Sequence, residues 1–204
     1  MMHTQKSPAP QAPRARNAGK HGNAVFSSRQ TGAFYHQLRT KESVDAMALQ
    51  LLILTVCRPA EVLHAKWEEF NFAQRVWIIP ASRMKNAQEH RVPLSDAVLK
   101  ILCKLQGLDA VWVFPGALRG MGMGAVLRRM GYAGSVMYTF RSAFRAWAGS
   151  QGYPKEMVDV ALAGVSMIVA LNYRCPDLFE RRRALMHDWA VWCMTVQPKQ
   201  QDIQ

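Results

Sequence analysis

At 204 residues, half of them hydrophobic, the chain is long enough for one substantial core plus a tail, and too apolar to be disordered throughout. Its 26 Lys and Arg against 14 Asp and Glu give a formal net charge of +12, a balance that points to a polyanionic partner, most simply double-stranded DNA. The sequence has neither an apolar run of membrane-spanning length nor the apolar segment of a signal peptide, so a cytoplasmic protein without membrane association is expected.

Residues 1–22 are rich in Pro, Ala, Lys and Arg without hydrophobic period and read as a flexible basic arm. Residues 1–41 hold seven Lys or Arg and no acid, which leaves +5 for the remainder. A short helix is predicted over 34–39 and a stronger one over 43–57, where Val44, Met47, Leu51 and Leu54 recur at helical spacing. Ser43 is placed to cap that helix and Asp45 suits its first turn. Pro59 fits the first turn of the next short helix, since its missing N–H is not needed there. Arg58 therefore stands at a helix junction, where a side chain can leave the packed face.

Over residues 75–94 the period changes to that of strands. RVWIIP and HRVPL pair naturally as a hairpin whose polar connection, ASRMKNAQE, carries Lys85. Ser95 caps a helix that Gly107 ends. VWVFPG reads as a buried extended segment and ALRGMGMG as a glycine-rich turn. Its glycines lack the spacing and lysine of a phosphate loop, so no nucleotide site is expected. Arg128 and Arg129 lie side by side on a helix, where backbone phosphates or plain solvation account for them equally well. FRSAFRAWA is an amphipathic helix carrying Arg141 and Arg145. A last helix over 177–195 has Leu178, Phe179, Leu185, Trp189 and Trp192 as its apolar set, with Arg181, Arg182 and Arg183 on another face, before a polar tail over 196–204. Cys57, Cys103, Cys175 and Cys193 lack the spacing of a zinc site and read as reduced thiols.

Two arginines and a tyrosine have a chemical logic on a phosphodiester. Arginine stays protonated and presents a planar fork, so a pair can grip both non-bridging oxygens and stabilise the charge that develops on them. A tyrosine beside them can serve as a covalent nucleophile. The ordered blocks RPAEVLHAKWEEF, IIPASRMKNAQEHRVPLS, VLRRMGY, FRSAFRAWA and YRCPDLFERRRALM resemble the tyrosine recombinases, specifically prophage-type integrases of genomic islands. The resemblance runs from about residue 23 to about residue 193.

That resemblance implies a mainly α fold with a small antiparallel β-sheet, an α+β catalytic domain over 23–195. It implies Tyr173 as nucleophile, forming a 3′-phosphotyrosine link, with Arg58 and Arg141 on the phosphoryl oxygens. Lys85 would protonate the leaving 5′ oxygen and Glu61 would orient Arg58. Arg128, Arg129 and Arg145 become candidates for DNA contacts, a homo-oligomer on DNA is implied by analogy, and neither metal nor other cofactor is called for.

Two family positions are altered. The usual His-x-x-Arg reads Tyr138-Thr139-Phe140-Arg141, and a small insertion would place Met137 at the histidine instead. The His or Trp that normally follows a Leu-Ala pair is Gly164, after Leu162-Ala163. Residues 1–40 are too few and too polar for the family's N-terminal core-binding domain, which is expected to be absent. Three functions compete: an integrase catalytic domain, a truncated and impaired relic that keeps only DNA or subunit binding, and a nicking and resealing activity of topoisomerase type.

Overall fold

The computed structural model describes residues 26–116, 122–132, 136–164 and 176–195. The basic arm, the glycine-rich residues 117–121, the stretch 165–175 with Tyr173 and Cys175, and the polar tail lie outside the described residues. Helices α1 (Ser28–Leu38), α2 (Val44–Thr55) and α3 (Pro59–Leu63) come first. A sheet of β1 (Phe70–Asn71), β2 (Val76–Ile79) and β3 (His90–Pro93) follows. Then come α4 (Asp96–Leu105), α5 (Gly122–Arg129), α6 (Thr139–Ser150), α7 (Lys155–Ala161) and α8 (Pro176–Thr195). The result is the mainly helical α+β architecture expected from the sequence.

Helix α2 is the hub. Every residue from Ala46 to Thr55 is buried, because α1, α4, α5 and α8 pack around it. The sequence suggested one apolar stripe, but a helix enclosed on all sides must be apolar all round. Its one amide, Gln50, is satisfied: Nε2 donates to the carbonyls of Leu38 and Lys41, each at 3.2 Å, closing the turn between α1 and α2. Ser43 occupies the N-cap position as predicted, yet its hydroxyl makes no cap bond to the backbone.

Helix α1 starts six residues before the predicted one. Ser27 and Gln30 form a reciprocal capping box at 3.2 and 3.0 Å, which fixes the start ahead of the apolar run. Phe26 and Phe34 then join Phe140 of α6, with ring centroids 5.1 and 5.6 Å away. At the other end of the core, Trp189 of α8 is fully buried, donates to the Ile53 carbonyl at 2.9 Å and meets Phe144 edge-on.

The sheet is antiparallel in the order β1-β2-β3. Phe70 pairs with Trp77, and Ile79 with His90. The strands of the predicted hairpin are β2 and β3, joined through a 3-10 turn over Ala81–Arg83. β1, only two residues long, was not predicted. VWVFPG is the buried extended segment expected: Val113 donates to the Ala65 carbonyl at 2.9 Å, and Val113 and Phe114 are fully buried.

Of the basic run of α8, Arg181 is exposed, but Arg182 and Arg183 turn toward the protein. Arg182 is 6% exposed and donates to the Arg91 carbonyl at 2.9 Å. Arg183 donates to the carbonyls of Gln74 and Arg75 at 2.7 and 3.0 Å. The guanidiniums of Arg91, Arg182 and Arg183 all lie within 5.3 Å of the Phe179 ring centre. Cation–π contact and carbonyl capping thus turn these arginines inward and lash α8 to the sheet.

Candidate active site

Helix α2 ends on Val56, whose φ of 52° is left-handed, an uncommon state for a β-branched residue. That reversal places Arg58 at the N-cap of α3, with Pro59 at the first helical position. Glu61, one turn on and 4% exposed, accepts from the Arg58 backbone N–H and from its Nη1, both at 2.7 Å. A buried carboxylate on two donors of one residue fixes the guanidinium's direction.

Arg141 enters from α6. It donates through Nη1 to the Val56 carbonyl and through Nη2 to the Leu162 carbonyl. Arg58 reaches the same turn, with Nη2 3.4 Å from the Ala163 carbonyl. Ala163 is also left-handed, at φ 48°. The two arginines, 83 residues apart in sequence, therefore converge on the turn that carries Gly164, held there by the carbonyls of Leu162 and of the left-handed Ala163. Burial, and next the neighbouring Arg58, lower the Arg141 pKa. The guanidinium nonetheless keeps its charge, because arginine starts so high.

Arg145, one turn beyond Arg141, pairs with Asp159 of α7. Tyr138 lies at the N-cap of α6 and is 61% exposed. Gly164 leaves room: among the described residues a Cβ there would meet only the Asp159 carbonyl, at 3.5 Å. Lys85 lies on the exposed hairpin connection. Arg128 and Arg129 are exposed at the end of α5, and Arg129 pairs with Asp45 in the first turn of α2. They are removed from Arg58 by the length of α2, about 18 Å at 1.5 Å per residue. So Arg58, Arg141, Arg145 and Gly164 come together, while Arg128 and Arg129 form a separate basic patch. Tyr173 lies outside the described residues.

Sequence reasoning passed over His90. It is 8% exposed at the start of β3, hydrogen-bonded to the backbone of Ala161, and it feels Arg182, Arg141 and Arg58. Burial first, and then these three cations, push its pKa down to about 3, so the imidazole is neutral. Cys57 beside the pair stays a thiol, pushed up to about 12 by burial and by Glu61. Among the described residues no three His, Cys, Asp or Glu side chains gather as a metal site would need. No described helix is long and apolar enough to cross a membrane.

The phage integrase family model matches residues 25–154, well over half the chain. This chain belongs to the phage integrase family. The match takes in Arg58, Lys85 and Arg141 and stops before Gly164 and Tyr173. Prophage integrase IntA of Escherichia coli K12 is 35% identical over 68% of this chain and 36% of its own. Prophage integrase IntZ of the same strain is 31% identical over 82% of this chain and 44% of its own. The integrase of Shigella phage Sf6 is 28% identical over 91% and 52%. The chain thus spans about half the length, or less, of these curated relatives. No solved structure matches it significantly.

Proposed function

We propose that this chain carries the strand-cutting centre of a site-specific DNA recombinase. In this reading the Tyr173 oxygen attacks the scissile phosphorus, releasing its phenolic proton to solvent, as the bond to the 5′ oxygen breaks, leaving a 3′-phosphotyrosine. Arg58 and Arg141 hold the non-bridging oxygens, and Lys85 supplies the proton that leaves with the 5′ oxygen. The bond energy stays in the tyrosyl ester, so rejoining by a new 5′ hydroxyl needs no energy source. Arg128, Arg129 and Arg145 lie along the DNA backbone, and protomers assemble on the duplex.

The observation that carries this reading is the convergence of Arg58 and Arg141 on one turn, with Glu61 setting the fork of the first. Carbonyls are weak partners for two guanidiniums, and a phosphate is a far better one. Replacing either arginine by Ala should lower covalent adduct formation on nicked duplex DNA about 10²–10³-fold, the usual cost of losing one charge-stabilising donor. Adduct formation unchanged by both substitutions would set the assignment aside.

Two observations favour a second reading, an impaired relic. Gly164 brings no side chain to the turn, and Tyr138 is directed largely to solvent. A relic binds DNA but forms no adduct on any substrate.

A further inference from the structure

Between the arginine pair and the hairpin that carries Lys85 runs a line of buried polar contacts that the proposed chemistry does not use directly. Glu61, which orients Arg58 through its carboxylate, offers its backbone carbonyl to Arg83 Nη2 at 2.5 Å. Arg83 Nη1 meets both carboxylate oxygens of Glu69 at 2.5 Å. Glu69, 7% exposed, also accepts from the indole N–H of Trp77 at 2.9 Å. Trp77 is fully buried in β2 and stacks on Phe70 with ring centres 5.1 Å apart. The line therefore ends in the sheet's rigid part. On the hairpin side, Arg83 closes the 3-10 turn, Met84 is buried beside it, and Lys85 comes next, exposed and without a hydrogen bond or ion pair among the described residues.

The geometry points to Arg83 and Glu69 as positioning residues that set where Lys85 stands relative to Arg58. Resting on the recombinase reading above, the inference gives the hairpin a defined role. Lys85 must come within hydrogen-bond reach of one leaving oxygen while Arg58 grips the same phosphate, so their separation has to be fixed. Among the described residues, no hydrogen bond or ion pair of Lys85 itself fixes it. The Arg83 fork does, because a planar guanidinium can span the Glu69 carboxylate and the Glu61 carbonyl at once. Lysine at 83 would keep the cation against Glu69 and lose the span to Glu61.

The test separates misplaced proton donation from general damage. A randomised pool of nicked duplexes is made in two forms, with oxygen or with sulfur at the 5′ bridging position of one fixed phosphate. A thiolate leaves without a proton far more readily than a sugar alkoxide, as its ordinary pKa near 8.5 implies. Arg83→Lys, shown to be folded by circular dichroism, should cut adduct formation on the oxygen pool at least about 10-fold, within the 10²–10⁴-fold scope of general-acid catalysis. On the sulfur pool it should come within about 3-fold of the unsubstituted chain, whereas Arg58→Ala should stay impaired on both, since it acts on the non-bridging oxygens. Glu69→Gln, which keeps an acceptor for Trp77, should follow Arg83→Lys. Equal losses on both pools, or none on either, would overturn the positioning role while leaving the recombinase reading in place. Absence of any Tyr173-dependent adduct from the unsubstituted chain on both pools would overturn the two together.

Discussion

His90 illustrates how a single residue can tie stability to the site's charge. Its ordinary pKa is near 6.5, but in the fold it is pushed down to about 3 by burial and by Arg182, Arg141 and Arg58. Between those values the unfolded chain takes up a proton that the native protein refuses. Stability should therefore fall as pH drops below about 6.5, by up to about 1.4 kcal/mol per pH unit, and be insensitive to this group above pH 7. His90→Gln, which can keep the bond to Ala161 but cannot titrate, should flatten that acid limb. Urea unfolding at pH 7 and pH 5 reads it directly, and an unchanged pH 5 to pH 7 difference in the variant would refute the assignment. His90 could not be read from the sequence because what makes it special lies 32 to 92 positions away in Arg58 and Arg182. Arg58 with Glu61 was legible for the opposite reason: the two lie three positions apart in one local block, RPAEVLHAKWEEF, and the family resemblance implied their pairing.

The same contrast holds among the elements. Helices α4 and α6 were evident because each has one buried face and a clear period, and strands β2 and β3 because they are short, mostly buried runs on either side of a polar connection. The sequence under-read α2 and α8. In α2 the enclosing neighbours come from four other helices, so no local pattern announces a hub. In α8 the sequence placed the arginines only on a face apart from the apolar set, yet Phe179 and the carbonyls of Arg91, Gln74 and Arg75 draw Arg182 and Arg183 inward. The join between these two helices is Trp189, fully buried against α6 and bonded to Ile53. Trp189→Ala should cost about 3–5 kcal/mol, the range for emptying a large aromatic site, whereas Trp189→Phe should lose less because most of the volume is kept. Denaturant midpoints of the two variants decide it. A loss of under about 1 kcal/mol for Ala would mean that α8 is not held as described.

For the whole molecule, the proposed function would bring distant segments to one phosphate. Arg58 arrives through the reversal at Val56, Arg141 through α6, and both meet at the turn before Gly164. The hairpin with Lys85 is tied to them by Arg83. Motif order in the sequence pointed to the family and named the arginines, because the family blocks are local. It could not show the carbonyl anchors, the left-handed turns or the Arg83–Glu69 tie, because those arise only when the segments meet. The most direct measurement of the central claim is covalent trapping on a pool of nicked duplexes of randomised sequence, resolved under denaturing conditions, for the unsubstituted chain and for Tyr173→Phe. A denaturation-resistant protein–DNA adduct that disappears in the variant is expected. No adduct from a folded, DNA-binding sample, or an adduct that survives Tyr173→Phe, would contradict it.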